Sequence, residues 1–251
     1  MEKFLGLPAA ASAHAADIDR MQGWVHWFML ILFVGWGTFY IYTLIRFRRS
    51  RNPKADYHGV TSHYSSYLEI AVAVVDTVLI VGFAIPLWAQ RVNAFPRENE
   101  ATVVRVVAEQ FAWNIHYPGA DGMFGRTDIK LMSADNPLGL DRTDPNAKDD
   151  VVPPQNILHF PVNRPVLIHL STKDVIHSFG LPIMRVKQDA IPGYSTPVWF
   201  VPTVVGESEI ACSQLCGIGH FRMRGFLTID TESDFKKFMD EQRAEAAKTG
   251  N

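Results

Sequence analysis

The pattern of hydrophobic and polar residues divides the chain into an apolar first part and a mixed second part. Residues 25–45 form a run of 21 without a formal charge, and residues 67–88 form a second apolar stretch. A helix needs about 20 apolar residues to cross the hydrocarbon core of a bilayer. Tryptophans and tyrosines near the ends of the first run suit the membrane interface. The pattern therefore predicts two transmembrane helices, at residues 24–47 and 65–91.

The charges between these helices fix their orientation. Short loops rich in lysine and arginine face the cytoplasm. The loop at residues 48–64 is therefore predicted to be cytoplasmic, with both termini on the periplasmic side of a bacterial inner membrane. With a net charge of -2 and basic residues that adjoin a membrane helix, nothing indicates nucleic-acid binding. The basic residues before Asp56 are Arg46, Arg48, Arg49, Arg51 and Lys54.

Residues 1–23 precede the first helix and contain Pro8 and an alanine-rich run. Small residues at 11–15 would suit a signal-peptidase site, but the apolar run before them is short and interrupted by Pro8. A periplasmic N-terminal segment that leads into the first helix is the favoured interpretation.

The pattern changes after a linker at residues 92–100. Short β-rich runs follow, separated by proline and glycine, which is typical of an antiparallel sandwich or barrel. The sequence thus predicts a membrane-anchored all-β protein, with its β domain at 101–232 and a C-terminal tail at 233–251. A long segment at 118–154 reads as a solvated insertion rather than a calcium site, because EF-hand spacing is absent. The predicted strands are 102–108, 166–170, 198–202, 209–211 and 224–229.

The second predicted helix carries two acidic residues. Glu69 and Asp76 are seven positions apart, so they lie on one helix face. Carboxylates inside a membrane are costly and usually serve a pathway or a partner. Glu69 would otherwise be a residue that reaches the interface, and the sequence alone leaves both interpretations open.

The densest chemistry lies in the stretch from Cys212 to Met223. Cys212, Cys216, His220 and Met223 place four soft or borderline ligands at offsets 0, 4, 8 and 11. Thiolate, thioether and imidazole together form a copper ligand set. Two thiolates four residues apart can bridge two copper ions, and a second imidazole must then come from elsewhere, with His177 the best candidate. A disulfide and a zinc site are the alternatives.

Three motifs resemble subunit II of the haem-copper cytochrome c oxidases: the 212–223 loop, Asp-Val-Ile-His-Ser at 174–178 and Lys-Gln-Asp-Ala-Ile-Pro-Gly at 187–193. The resemblance covers nearly the whole chain. It implies a two-helix transmembrane hairpin followed by a cupredoxin β-sandwich that binds the dinuclear copper centre CuA. The implied ligands are the side chains of His177, Cys212, Cys216, His220 and Met223 and the backbone carbonyl of Gln214.

The resemblance also implies a function within a complex. CuA would accept electrons from a periplasmic c-type cytochrome and pass them to haem in subunit I, where O2 is reduced to water and protons are pumped. Subunit III is a further implied partner. The two cysteines of the chain are four positions apart and form no Cys-x-x-Cys-His haem motif, so the haems are expected in partner subunits.

The chain departs from mitochondrial relatives at the electron-accepting surface. They have Gln-Trp-Tyr-Trp where this chain has residues 110–113, so Phe111 replaces the first tryptophan and Trp113 matches the second. Electrons would then arrive through Phe111, through a neighbouring aromatic residue such as Trp113 or Tyr117, or from a differently docked donor. A haem subunit of an attached quinol-oxidising complex is an alternative donor.

Two other positions bear on ions and protons. Relatives usually have glutamate at position 214 to help hold magnesium near Asp189, and neutral Gln214 makes that magnesium doubtful. The family places a glutamate at the mouth of the K proton channel, 17 residues before an Ile/Leu-Pro pair, and Glu69 precedes Ile85-Pro86 by 17. Asp76 is a hypothesis of this sequence alone, as part of the same proton-conducting face.

Other classes stay open at this point. A quinol oxidase subunit II would lack the copper ligands, and a nitrous oxide reductase would have a large second domain. A membrane-anchored copper carrier or assembly protein would bind copper without turnover.

Overall fold

The computed structural model describes residues 6–54, 56–59 and 61–249, and it divides into two compact units. One unit contains Asp17–Ala94, and the other combines Pro8–Ala16 with the chain from Phe95 onward.

The first unit consists of two apolar helical spans. Both are long and apolar enough to cross a membrane. The first begins at Ala15 rather than at residue 24, and Asp17 in its first turn complements the positive end of the helix dipole. The segments are α1 (Ala15–Arg46), α2 (Tyr64–Leu79), a π-helical turn (Ile80–Ala84) and α3 (Ile85–Val92).

The π-helical turn lies immediately before Pro86. Proline has no N–H for the carbonyl four residues earlier, here that of Gly82, and its ring crowds that carbonyl. Widening of the preceding turn relieves the clash, and π-turns are a common response to such an interruption.

The second unit is a β-sandwich. Its strands are β1 (Thr102–Glu109), β2 (Ala112–His116), β3 (Ile157–Pro161), β4 (Val166–Thr172), β5 (His177–Leu181), β6 (Val186–Ala190), β7 (Thr196–Phe200), β8 (Gly206–Cys212) and β9 (Arg224–Asp230). Across the described residues they form a four-stranded sheet, β2–β1–β4–β7, and a five-stranded sheet, β3–β9–β8–β5–β6. The predicted membrane-anchored all-β class is confirmed.

The sheets are mixed rather than wholly antiparallel as the sequence predicted. β1 pairs with β4 in parallel, and β3 pairs with β9 in parallel. Parallel neighbours need long connections, and both pairs are joined through other elements of the fold. A strand's own residues do not indicate the direction of its partner, so the sequence pattern could not reveal these pairs.

The core lies between the two sheets. Every second residue of β1 is buried, as the period of a strand requires, and Val104 and Val106 point inward. Phe160, Leu227 and Ile229 are buried in the same core from the other sheet.

Residues 8–16 of the N-terminal segment are part of this unit. The backbone N–H of Thr203 donates to the carbonyl of Ala11 at 2.8 Å. The buried Ser12 hydroxyl donates to the Met184 carbonyl at 2.7 Å. The segment is therefore hydrogen-bonded to the sandwich as well as leading into α1.

The 118–154 insertion is packed rather than wholly solvated. Leu140 is buried, and Asp150, also buried, accepts hydrogen bonds from the His116 ring at 2.7 Å and from the Gly125 N–H at 2.8 Å. Burial lowers the pKa of His116, which the hydrogen bond and charge of Asp150 oppose. The insertion is thus fastened to β2 by a buried imidazole–carboxylate pair.

The C-terminal helix, α4 (Glu232–Thr249), packs on the sandwich through aromatic rings. Phe238 stacks on His159 with centroids 3.8 Å apart, and Phe235 meets Tyr117 edge-on at 6.1 Å. His159 is therefore a packing residue and not a ligand.

Candidate metal centre

The candidate ligands converge at one end of the five-stranded sheet. His177 begins β5 and Cys212 ends β8, and these neighbouring strands pair Phe179 with Cys212. The loop after Cys212 returns through a short 3-10 turn, His220–Arg222, to Met223 and β9. The pairing of β5 with β8 thus places His177 next to a loop that lies far from it in the sequence.

The donor atoms lie in mutual contact. The Cys212 and Cys216 sulfurs are 3.8 Å apart, and Cys216 Sγ is 3.6 Å from His220 Nδ1. Met223 Sδ lies 3.1 Å from His177 Nδ1 and 3.7 Å from Cys216 Sγ. All five predicted side chains are therefore in one cluster.

The predicted backbone ligand is also at this cluster. The thiol of Cys212 donates to the carbonyl oxygen of Gln214 at 3.3 Å, while the Gln214 side chain is exposed. The carbonyl and not the amide therefore faces the sulfur atoms.

The two cysteines do not form a disulfide. Both are free, and their separation of 3.8 Å is far beyond the S–S bond length of about 2.05 Å. The chemistry of the donor set fits copper, since two sulfur types and two imidazole nitrogens meet at one point. Among the described residues, His177, Cys212 and Cys216 are the one group of histidine, cysteine and acidic side chains close enough together to hold a metal ion.

The Nε2 atom of His177 is hydrogen-bonded to a carboxylate on the side of the ring away from the sulfur atoms. Nε2 lies 2.8 Å from Asp174 Oδ1, so it carries the ring proton and donates it to this carboxylate. Nδ1 is then unprotonated, and its lone pair is available to bind a metal ion. Partial burial raises the pKa of Asp174, but hydrogen bonds from His177, Gln110 and Val175 outweigh this and lower it. An ionised carboxylate therefore orients the imidazole, as is usual for histidines that bind metals.

The Cys216 thiol is protonated in the absence of a cation. Burial, together with the hydrogen bond and charge of Cys212, raises the pKa of Cys216 to about 11. A bound cation reverses this preference because metal ligation requires thiolates.

The aromatic residues near the centre differ in their exposure. Trp113 has no exposed surface, and its ring is edge-on to that of His177 with centroids 6.3 Å apart. A donor protein therefore cannot touch Trp113, and Tyr117, 1% exposed, is equally inaccessible. Phe111 is half-buried and packs against the loop glycines Gly217 and Gly219.

The predicted ion and proton residues are not among these donor groups. Asp189 pairs with Lys187 at 3.3 Å, and hydrogen bonding lowers the pKa of the Asp189 carboxyl. Glu69 and Asp76 are exposed on α2.

Sequence reasoning missed two supporting residues, Asp174 and Gln110, that contact the ligands without being ligands. Asp174 stands three positions before His177, so a signal was present in the motif. The local sequence around Gln110 gave no signal of its supporting role, because Asp174 and Cys216, which it contacts, lie 64 and 106 residues away.

Two helical spans that are apolar enough to cross a membrane, followed by a β-sandwich with a cluster of potential copper ligands at one end of a sheet, are the features of a membrane-anchored copper-binding class. Residues 102–229 match the family model for the periplasmic domain of cytochrome c oxidase subunit II. The chain belongs to this family, and it is a subunit of a haem-copper terminal oxidase.

The two relatives named first agree with this assignment. The chain is 32% identical to the alternative cytochrome c oxidase subunit 2 of Bradyrhizobium diazoefficiens, over 93% of this chain and 83% of that protein. It is 25% identical to cytochrome c oxidase subunit 2 of Cereibacter sphaeroides, over 95% and 80%. The crystal structure of the periplasmic domain of subunit II of Bradyrhizobium japonicum covers 60% of this chain at 27% identity, with a TM-score of 0.44 and 97% of that domain aligned.

Proposed function

We propose that this chain holds a dinuclear CuA centre and relays electrons from a periplasmic c-type cytochrome to haem in subunit I. The observation that carries the proposal is the cluster of two unbonded thiols, two imidazole Nδ1 atoms and one thioether, with neighbouring donors 3.1–4.0 Å apart. His177, Cys212, Cys216, His220, Met223 and the Gln214 carbonyl would hold the metal. When bound, copper ions at these residues would supply one-electron redox chemistry.

The residues around the cluster set its surroundings. His177, Cys216 and Met223 are buried, so water is kept from three of the five side-chain donors, while Cys212 and His220 are half-buried. Asp174 orients His177 and compensates part of the positive charge. A rigid and dry ligand shell costs little reorganisation when charge passes through it.

Phe111 is proposed as the contact for the donor, with Trp113 behind it as packing for His177. Phe111 is half-exposed and touches the loop, whereas Trp113 is buried. The donor is a c-type cytochrome in this proposal, and a haem subunit of an attached quinol-oxidising complex is the alternative.

The membrane spans are proposed to dock on subunit I, with subunit III as a further neighbour. Glu69 would lie at the mouth of a proton channel. Asp76 would lie two turns further along α2, on the same helix face. Intramembrane carboxylates need such partners because burial in lipid alone is costly.

Both termini are proposed to lie in the periplasm of a bacterial inner membrane. The hydrogen bonds of Ala11 and Ser12 to the sandwich favour this arrangement, because a segment before the first span must then lie on the same side as the domain after the second. Two crossings satisfy this condition.

A magnesium ion at Asp189 and Gln214 is the weakest part of the family resemblance. Gln214 brings no charge, and Asp189 is already paired with Lys187. A carboxylate from subunit I would have to supply the missing ligand.

The relay is tested by rapid mixing of the purified oxidase with a reduced c-type cytochrome. In the wild-type complex, cytochrome oxidation should be followed by haem reduction in subunit I. Cys216→Ser should abolish both steps and leave the haem spectrum intact. A complex in which Cys216→Ser transfers electrons at the wild-type rate contradicts the proposal.

The family assignment disfavours a copper carrier, although a partly buried Cys212 could also receive or release single copper ions. A carrier would pass one Cu(I) to an acceptor protein and would not co-purify with haem subunits. Co-purification with stoichiometric haem and turnover with O2 therefore exclude it.

A further inference from the structure

One turn of the sandwich contacts both halves of the ligand cluster. It joins β1 to β2 and consists of Gln110 and Phe111. Gln110 contacts the loop at Cys216 and reaches His177 through Asp174, so the turn connects the two halves of the cluster.

The side chain of Gln110 reaches the copper loop directly. Its amide Nε2 donates to the backbone carbonyl of Cys216 at 2.6 Å. Cys216 is a central ligand, since its sulfur touches those of Cys212 and Met223 as well as the ring of His220. A hydrogen bond to its carbonyl therefore fixes the peptide from which that sulfur projects.

The main chain of Gln110 reaches the other half. Its N–H donates to Asp174 Oδ2 at 2.7 Å, while Oδ1 of the same carboxylate lies 2.8 Å from His177 Nε2. Gln110 is thus connected through one carboxylate to His177 and through one amide to Cys216.

The loop glycines make room for this turn. A Cβ at Gly217 would lie 2.8 Å from Gln110 Nε2, and one at Gly219 would overlap the ring of Phe111. Gly217 also has a φ of +134°, which residues with a side chain rarely adopt. The close approach of the loop to the Gln110 turn therefore depends on glycine at positions 217 and 219.

We infer that Gln110 is a positioning residue that holds the Cys216 peptide and His177 at a fixed separation for the two metals. The inference rests on the proposed CuA function. Gln110 touches no donor atom itself, so it acts on the centre only through the Cys216 carbonyl and Asp174. Its loss should therefore loosen the metal centre and change its electronic structure without removing a ligand.

The test uses the full chain, loaded with copper in detergent, in wild-type form and as Gln110→Ala and Gln110→Glu. Glutamate keeps the shape of glutamine but places a carboxylate against the Cys216 carbonyl. Gln155→Ala is the matched control, because Gln155 is exposed and bonds Glu109 and Asn114 rather than the loop. The readouts are the rate of copper release to a chelator and the hyperfine pattern of the electron paramagnetic resonance spectrum.

Both Gln110 variants should release copper about tenfold faster than wild type, in keeping with the loss of one partly buried hydrogen bond. Their hyperfine pattern should change, and that of Gln155→Ala should not. Gly217→Ala reaches the same contact from the loop and should reproduce the spectral change, which keeps the test valid if a Gln110 variant folds poorly.

Wild-type release rates and spectra in Gln110→Ala, Gln110→Glu and Gly217→Ala would overturn the inference while leaving the copper centre in place. A wild-type chain that takes up no copper pair would instead overturn the proposed function. The two failures are thus distinguished by which protein shows them.

Discussion

Asp174 and His177 form a carboxylate–imidazole pair, with Oδ1 of the first 2.8 Å from Nε2 of the second. The pair sets which ring nitrogen faces the sulfur atoms, so it determines the ligand before any metal arrives. The same carboxylate receives the N–H groups of Gln110 and Val175 and is thus held in place from two sides.

Removal of the Asp174 carboxylate should weaken copper binding. We expect Asp174→Ala to lower copper affinity by about 10–100-fold, the usual effect of losing a partner that orients a ligand. Competition with a chelator measures the affinity. Asp135→Ala, an exposed residue of the insertion, is the control, and equal affinities in the two variants would contradict the assigned role.

Acidification should destabilise the β unit through His116. Its pKa lies below the ordinary 6.5 because the ring is buried, and the Arg105 and Arg142 charges add to this while Asp150 opposes it. The unfolded chain therefore takes up a proton at higher pH than the folded chain. The free energy of unfolding should fall as pH drops below about 6.5, by at most about 1.4 kcal/mol per pH unit, and should not depend on His116 well above it.

Unfolding of the copper-free chain at several pH values measures this effect. The difference between wild type and His116→Gln isolates His116 from the other histidines. His58→Gln is the control, because His58 has a 98% exposed side chain and should leave the pH dependence unchanged. A pH dependence that His116→Gln does not alter would refute the prediction.

The N-terminal segment should contribute to the stability of the sandwich. Ser12→Ala leaves the buried Met184 carbonyl without its donor and should lower the free energy of unfolding by about 1–2 kcal/mol. Ser133→Ala removes an exposed hydrogen bond in the insertion and should cost only a few tenths of a kcal/mol. Denaturant unfolding compares the two variants. Equal free energies of unfolding would show that the N-terminal segment does not stabilise the sandwich.

Truncation of Phe111 should weaken the productive encounter with the donor. If this ring is the contact, Phe111→Ala should raise KM for a c-type cytochrome by roughly tenfold, in the range of an aromatic interface anchor. Steady-state oxidation by the purified oxidase gives KM and kcat. Phe226→Ala, on the exposed side of β9, is the matched control, and similar KM values for both variants would count against this contact.

The copper loop was accessible to sequence reasoning because its side-chain ligands lie within twelve residues. The β class was accessible too, since strands such as β1 alternate clearly. β5, by contrast, is buried at every position and has no alternation to detect. The parallel pairs β1–β4 and β3–β9 depend on the packing of the whole sandwich and leave no local trace.

The residues that support the site could not be predicted from the sequence for a related reason. Gln110 and Cys216 are 106 residues apart, and Ser12 and Met184 are 172 apart. Such contacts follow from strand order and not from spacing. His177 was found through the family motif, which records a contact that its spacing from Cys212 does not reveal.

The most direct measurement is the copper content of the full chain together with its electron paramagnetic resonance spectrum. We expect two copper ions per chain and a mixed-valence signal in which one unpaired electron is shared by both, lost in Cys212→Ser and Cys216→Ser. A single copper ion per chain, or a disulfide between Cys212 and Cys216 in freshly isolated membranes with no copper bound, would contradict the electron-relay centre.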